Sequence, residues 1–382
     1  MGKRILILGA GFGGLTAANI LRKNLHSDHR VMVIDRKNWF MMGLVKLWIL
    51  EGIRKLEESQ TPLNGLNAKG IEFLNDEVTK IDSGSGKVHA KDHGWIEYDY
   101  LIVALGAELA PEKVPGFIGR GYNLYDPQQV PKLRDRLLSI NRGRVAITIM
   151  GMPYKCPPAP YEASIIISNV LKKSGSRNAV EIDLYTPAPI ALPVAGPQIS
   201  AGVVEIISQN GVRFNPLHKL QSVTDKQLEF ENGTKKDYDL LAGIPPHRVP
   251  EVVRNSGLTG GGDWIQVDKH TMKTSIGNIF AIGDVTEIKV SNLALPKAGI
   301  FAEEQAKVVA QQIIDEIVST PSITTFSGQG YCFMEVGNGR AGYLEADFYN
   351  QAGPLLNMKA PSAENYEKKQ DFERTRIKDW LF

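Results

Sequence analysis

KRILILGAGFGG, residues 3–14, is the stretch that decides the fold. Ile5 to Leu8 is an apolar run, the composition of a parallel strand buried on both faces. It stops at Gly9, Gly11 and Gly14, in GxGxxG spacing. Gly9 permits a tight turn, Gly11 lets backbone approach a pyrophosphate, and Gly14 lets the next helix pack close to the strand. Phe12 and Gly13 complete this loop. Leu15, Ala18, Ile20 and Leu21 give Leu15 to Lys23 an apolar helical face, and its first turn aims free N–H groups and the positive dipole end at the phosphates. A second strand, Arg30 to Ile34, ends in Asp35, about 20 residues on, where a carboxylate meets a ribose hydroxyl. Strand, helix, strand and acid in this order predict a dinucleotide site. Asp35 argues against a 2′-phosphate, although Arg36 stands beside it.

At 382 residues the chain is too long for one ordinary core and suits two or three domains. Its 44 Lys and Arg balance 42 Asp and Glu, so no basic field points to nucleic acid. No apolar run reaches the ~18 residues of a membrane span. The first strand begins almost at Met1, which leaves no room for a signal peptide and predicts a cytoplasmic protein. Two cysteines in that compartment are read from their surroundings rather than as a structural staple.

After Asp35, the aromatic and Met-rich segment Asn38 to Leu50 reads either as a core helix or as a wall of the cofactor cavity. Ile71 to Val78, Val88 to Ala90 and Trp95 to Tyr98 read as a small antiparallel insertion. Tyr100 to Ala107, YLIVALGA, is a buried strand whose end, Ala104, Leu105 and Gly106, returns the chain to the ligand. Gln128 to Ile140 is helical by pattern. Arg144 to Met150 is a strand followed by glycine, repeating the opening. Here the repeat fails: the loop contains Pro153, Pro157, Pro158 and Pro160, which offer no N–H groups to a pyrophosphate. The next strand, Val180 to Tyr185, ends without a ribose-binding acid. The second unit is therefore expected to lack a nicotinamide site. Tyr238 to Ile244 is its returning strand. Asn278 to Ile282 leads to Gly283 and Asp284, which read either as an ordinary turn or as a ribitol contact. Leu295-Pro296-Lys297-Ala298-Gly299 opens a helix from Ile300 to about Val318, its N-terminus facing a flavin pyrimidine. Phe372, Ile377, Trp380, Leu381 and Phe382 share a face of a terminal helix, read as packed, as a dimer contact, or as a peripheral membrane contact.

Cys156 lies in the proline-rich loop and Cys332 follows Gly328 and Gly330 far along the chain. By residues alone each reads as an inert thiol or as half of a redox pair. The motifs GAGFGG, YDYLIVALGAEL, KCPPAPYE, GIPPHRVPEV, NIFAIGDV and LPKAG, spread from residue 9 to residue 299, resemble the sulfide-oxidising branch of the two-dinucleotide-binding-domain flavoproteins. That branch includes sulfide:quinone oxidoreductases and the flavoprotein subunit of flavocytochrome c sulfide dehydrogenase. KCPPAPYE is the specific motif. The resemblance implies an α/β fold of two Rossmann-like domains in a glutathione-reductase-like tandem with a small C-terminal region. The expected boundaries are 1–110 and 246–320 for the FAD domain, 111–245 for the second domain and 321–382 for the tail.

The resemblance further implies that Cys156 and Cys332 form a redox disulfide or polysulfur bridge beside FAD. Hydrosulfide is then the substrate and quinone or another acceptor the oxidant. Glu162 is assigned proton handling, and Lys297 with its helix dipole the stabilisation of reduced flavin. Gly9, Gly11, Phe12, Gly13, Gly14, Asp35, Arg36, Val78, Ala104, Leu105, Gly106, Gly283, Asp284, Pro296 and Lys297 are the expected FAD contacts. Two departures stand out. The third cysteine typical of the quinone enzymes is absent, and the loop after the second strand, WFMMGL, has no cysteine to attach FAD, so binding is expected to be non-covalent. Trp39, Phe40 and the tail are the expected acceptor walls. The other readings are an NADH:quinone dehydrogenase of the same fold and a non-catalytic FAD-binding redox sensor.

Overall fold

A computed structural model describes residues 2–290 and 293–382. The opening strand, Arg4–Leu8, is the middle of a five-stranded parallel sheet, flanked by Arg30–Asp35 and then Glu72–Asn75 on one side and by Tyr100–Val103 and Ile279–Ala281 on the other. Ile5 to Leu8 are themselves almost fully covered, as expected of a parallel strand buried on both faces. The helix Phe12–Asn24 follows at once. It starts earlier than the apolar pattern of Leu15 suggests, because Gly11 ends the strand turn and the three residues after it already belong to the first helical turn. A Cβ on Gly14 would lie 1.8 Å from the Gly9 carbonyl oxygen, so helix and strand approach this closely only with glycine there.

The second sheet repeats the plan. Its order is Tyr122–Asn123, Leu240–Ile244, Gly143–Ile149, Val180–Tyr185, Val212–Asn215, all parallel. Each sheet carries a three-stranded antiparallel appendage before its returning strand: Val78–Asp82, Lys87–Ala90 and Gly94–Glu97 in the first, Leu220–Val223, Gln227–Phe230 and Lys235–Asp237 in the second. The fold is thus α/β with two Rossmann-like units in tandem.

One reading from the sequence is corrected here, and one of two alternatives is decided in favour of the core helix. Ile71 to Val78 is not one strand of the insertion. Glu72–Asn75 joins the main parallel sheet, and only Val78–Asp82 belongs to the appendage. The break is Asp76, whose buried carboxylate accepts the N–H groups of Glu77, Asp92 and His93 and turns the chain. Asn38 to Leu50 divides into a short strand, Trp39–Phe40, paired with Thr61–Pro62, and a helix, Val45–Glu51, which packs against the helices Val130–Ser139 and Ala159–Lys173 as core.

The C-terminal region is an antiparallel sheet of Gln329–Gly337, Arg340–Asp347 and Leu355–Ser362, capped by the helix Ala363–Leu381. The Ser362 hydroxyl accepts the Asn365 N–H at 3.1 Å and starts this helix. Phe372 stacks on Phe12, and Trp380 packs edge-on against Phe12 and Phe40. Arg54 grips Glu373, and Arg376 grips Glu303 and the Tyr331 hydroxyl. The helix is therefore packed into the protein, with Phe382 left exposed beyond its end. No helix among the described residues is long and apolar enough to cross a membrane.

Candidate cofactor and redox site

The register of the first sheet puts the carboxyl ends of its strands at one edge: Leu8 pairs with Ile34 and with Val103, and Val103 pairs with Ala281. Gly9 to Gly14, Asp35, Ala104 to Gly106, and Gly283 with Asp284 follow those ends and so gather there, the edge at which open α/β sheets bind ligands. Gly9 has φ +102°, and a Cβ on it would meet the Ala104 carbonyl oxygen at 2.5 Å. Gly11 differs: a Cβ there meets nothing within 4 Å, so the space beside it is open. No side chain caps the helix that follows, so its first N–H groups face that space. The Asp35 carboxylate accepts the Ala10 N–H at 2.7 Å and the Lys37 N–H at 2.9 Å, which orients it beside the loop.

Gly283 is held by its N–H to the Gln305 side chain at 2.7 Å, and burial raises the pKa of Asp284. Pro296, Lys297, Gly283 and Asp284 line one small cavity at the start of the helix Gly299–Ile317. Val78 opens the appendage, three residues past the strand end opposite Asp35. Arg36 is exposed and faces Glu108 at 3.7 Å.

The cysteines converge. Cys332, Pro157, Pro158, Pro296 and Ala298 line one apolar cavity of about 50 Å³, and Cys156 immediately precedes the two prolines. Both sulfurs are free thiols rather than a bridge. Each lies in the field of the same groups, Glu162 and Lys369, and Cys332 lies in that of Cys156. Cys156 has φ +52°, a left-handed backbone that costs a non-glycine residue about 1–2 kcal/mol. Three hydrogen bonds hold it there: its N–H donates to the Lys297 carbonyl at 2.7 Å, and its own carbonyl accepts from Ala159 N–H at 3.0 Å and Tyr125 hydroxyl at 3.3 Å. Burial pushes the Cys156 thiol up to about 12, with Glu162 adding to the rise and Lys369 and Lys46 opposing it. Burial also raises Cys332 well above the ordinary thiol range, with Cys156 and Glu162 adding to it.

Beneath the thiols lies a buried ionic triad. Lys369 Nζ is 2.8 Å from Glu162 Oε1 and 2.8 Å from Glu335 Oε2, and all three side chains are at most 3% exposed. The Glu335 N–H donates to Glu162 Oε1 at 2.8 Å, and Trp48 Nε1–H donates to Glu335 Oε2 at 3.2 Å. Burial raises the pKa of Glu162 despite Lys369. With one ammonium for two carboxylates, this favours a proton on Glu162, whose Oε2 is the oxygen Lys369 does not use.

The family model for pyridine nucleotide-disulphide oxidoreductases matches residues 3–310. The chain belongs to that family. It is similar to the mitochondrial sulfide:quinone oxidoreductase of Mus musculus, 25% identical over 366 residues that span 91% of this chain and 78% of the mouse protein. The corresponding enzyme of Dictyostelium discoideum is 27% identical over 347 residues, 86% of this chain and 74% of its own. Among solved structures, the sulfide:quinone oxidoreductase of Aquifex aeolicus superposes with a TM-score of 0.90 at 24% identity, covering all of this chain and 92% of the other.

Within this pyridine nucleotide-disulphide oxidoreductase fold, Lys297 departs from its expected use. Its ammonium donates to the Asp284 carbonyl at 2.8 Å and the Thr286 carbonyl at 2.9 Å and sits 3.4 Å from the centre of the Trp264 ring. Burial lowers its pKa to about 8. The side chain fastens the Gly283–Asp284 turn, and the backbone carbonyl of the same residue fastens Cys156. Sequence reasoning missed Lys369, Glu335, Lys46 and Lys155. Lys46 and Lys155 stand near Cys156, and each has a pKa lowered first by burial, that of Lys46 to about 8. The signal available for Lys155 was its place next to Cys156. For Lys369 there was none, because it sits among charges that read as a solvated helix face; for Glu335 the signal was its place as the lone charge in the apolar run CFMEV.

Proposed function

We propose that this chain binds FAD non-covalently at the edge of the first sheet and oxidises sulfide through Cys156 and Cys332, passing the electrons to a quinone. What carries the reading is the convergence of two thiols remote in sequence, Cys332 on its strand and Cys156 on the proline-rich loop that Lys297 fastens near the Gly283–Asp284 turn. The residues present fit FAD. The open cradle at Gly11, the uncapped helix behind it and the oriented Asp35 suit pyrophosphate and ribose. FAD, when bound, supplies a two-electron acceptor that returns its electrons to quinone.

The thiols divide the work by environment. In the bridged state, hydrosulfide attacks the Cys332 sulfur; the S–S bond breaks, Cys332 becomes a persulfide and Cys156 leaves as a thiolate. The direction follows from access and charge: the apolar cavity is lined by Cys332, and two lysines stand in the field of Cys156 to favour the leaving thiolate. Lys46 and Lys369 stabilise its anion. Once the persulfide proton is lost, the two cysteines can rejoin through the added sulfur, a two-electron oxidation for which FAD, if held at the edge of the first sheet, would supply the acceptor. Glu162, whose pKa burial raises, is the group that takes up and passes on this proton. The apolar cavity at Cys332 suits a neutral sulfur chain better than an anion.

The loop of the second unit supports the choice of sulfide over NADH: Pro157, Pro158 and Pro160 occupy the positions of a phosphate-binding turn, and Asp183 on its second strand is tied to Arg213 at 2.7 Å. The test is anaerobic stopped-flow reduction of the FAD-loaded protein by sulfide and by NADH, followed by sulfide-dependent decylubiquinone reduction in wild type, Cys156→Ser and Cys332→Ser. Sulfide bleaches the flavin, and each serine variant loses turnover at least a hundredfold. Rapid bleaching by NADH alone, or equal turnover in all three proteins, overturns the proposal.

A further inference from the structure

The triad joins the two cysteine-bearing elements through a third. Glu162 stands in the first turn of the helix Ala159–Lys173, six residues after Cys156. Glu335 is three residues after Cys332 on Gln329–Gly337. Lys369 comes from the C-terminal helix and reaches both carboxylates at 2.8 Å, while the backbone of Glu335 bonds Glu162 directly. We propose that Lys369 is a strut that fixes the separation of the two sulfurs, and so sets how readily Cys156 and Cys332 join.

The physical basis is the cost of loosening it. Buried ion pairs tolerate little separation, because each ångström gained leaves a desolvated charge without its partner. Any drift of the Cys156 loop away from the Cys332 strand must stretch a Lys369 bond or the Glu335 N–H to Glu162 bond. A cysteine pair held at bonding distance forms its bridge with a high effective concentration. Lys369 touches neither sulfur and is a positioning residue. The other charged and polar groups around it, Arg54, Glu51 and Tyr366, border the triad without bridging the two cysteine elements. Arg54 instead pairs with Glu373 on the outer part of the same helix, at 3.1 Å.

This inference rests on the cysteine mechanism above, and its test separates the two. FAD-loaded protein is equilibrated anaerobically, without quinone, in mixtures of oxidised and reduced dithiothreitol. The reaction is protein dithiol plus oxidised dithiothreitol giving protein disulfide plus reduced dithiothreitol. Acid quench, alkylation and mass spectrometry then count the Cys156–Cys332 bridge. The variant Lys369→Met with Glu335→Gln removes the strut without stranding an extra charge, since Glu162 can hold its proton. Its disulfide equilibrium constant falls about tenfold, the size of a coupling between residues in one network.

Glu373→Gln is the control: it loosens the same helix at Arg54 and leaves the constant within twofold of wild type. A double variant within twofold of wild type, or an equal fall in Glu373→Gln, overturns the strut. A wild type that forms no bridge at any ratio overturns the cysteine mechanism itself. If the double variant does not fold, Glu335→Gln alone, which keeps Lys369 and Glu162 paired, is read on the same scale. A shift there supports the strut, and its absence overturns it.

Discussion

Lys369→Met should destabilise the protein far more than any other lysine substitution on its helix. The ammonium makes two 2.8 Å bonds to carboxylates that are almost fully covered, so methionine fills the volume but leaves two acids facing each other across the Glu335 N–H. Removing one partner of a buried ion pair costs about 3–5 kcal/mol. The lower end applies, because Glu162 keeps the Glu335 N–H and can take a proton. At a urea slope of about 3 kcal/mol per M, a loss of about 3 kcal/mol moves the midpoint by about 1 M.

Equilibrium unfolding by tryptophan fluorescence reads it, since Trp48 and Trp380 lie in the affected core. Without the ammonium, the folded-state pKa of Glu162 rises further above its unfolded value. The folded variant then holds a proton that the unfolded chain gives up, so its deficit grows as pH rises through neutrality and shrinks as pH falls toward about 5. Adding Glu162→Gln and Glu335→Gln removes both charges and recovers most of the loss, as neutral replacements of buried triads do. A single variant within about 0.5 kcal/mol of wild type, where ordinary surface substitutions fall, or a triple variant no better than the single one, would refute the reasoning.

Three other outcomes follow from the same geometry. Gly11→Ala folds with wild-type stability, because nothing in the protein lies within 4 Å of the new methyl, yet binds FAD at least tenfold more weakly by fluorescence titration; Gly14→Ala, with its methyl on the Gly9 carbonyl, loses both. In the reduced protein, iodoacetamide alkylates Cys156 more than about tenfold slower at pH 7 than a free thiol of pKa about 8.5, and the rate climbs with pH without a plateau below about 9. A plateau by about pH 8 would contradict the burial argument. Mixing bridged protein with one equivalent of sulfide, then alkylating and digesting, places the persulfide mass on the Cys332 peptide; finding it on Cys156 reverses the assigned direction of attack.

The sequence by itself determined the local grammar. GAGFGG after an apolar strand, an acid at Asp35, a second strand–helix–strand unit and prolines in its loop are written in adjacent residues, because turn geometry, helix starts and strand burial depend on neighbours a few positions away. The same is true of the returning strand, which ends at Val103 rather than Ala107, with Ala104 just beyond it meeting Gly9. Tertiary structure alone decided what depends on which faces are covered. Lys368 and Lys369 are consecutive, yet Lys368 pairs with Glu364 at 56% exposure while Lys369 is 2% exposed between two carboxylates. About 100° of helical rotation separates them, and only the placement of that helix against the Cys332 strand tells which side is inside. Glu72–Asn75 and Lys297 fall in the same class. Their neighbours in sequence do not reveal that one extends a parallel sheet and the other turns its ammonium onto Trp264, since both outcomes are set by partners contributed from remote parts of the chain.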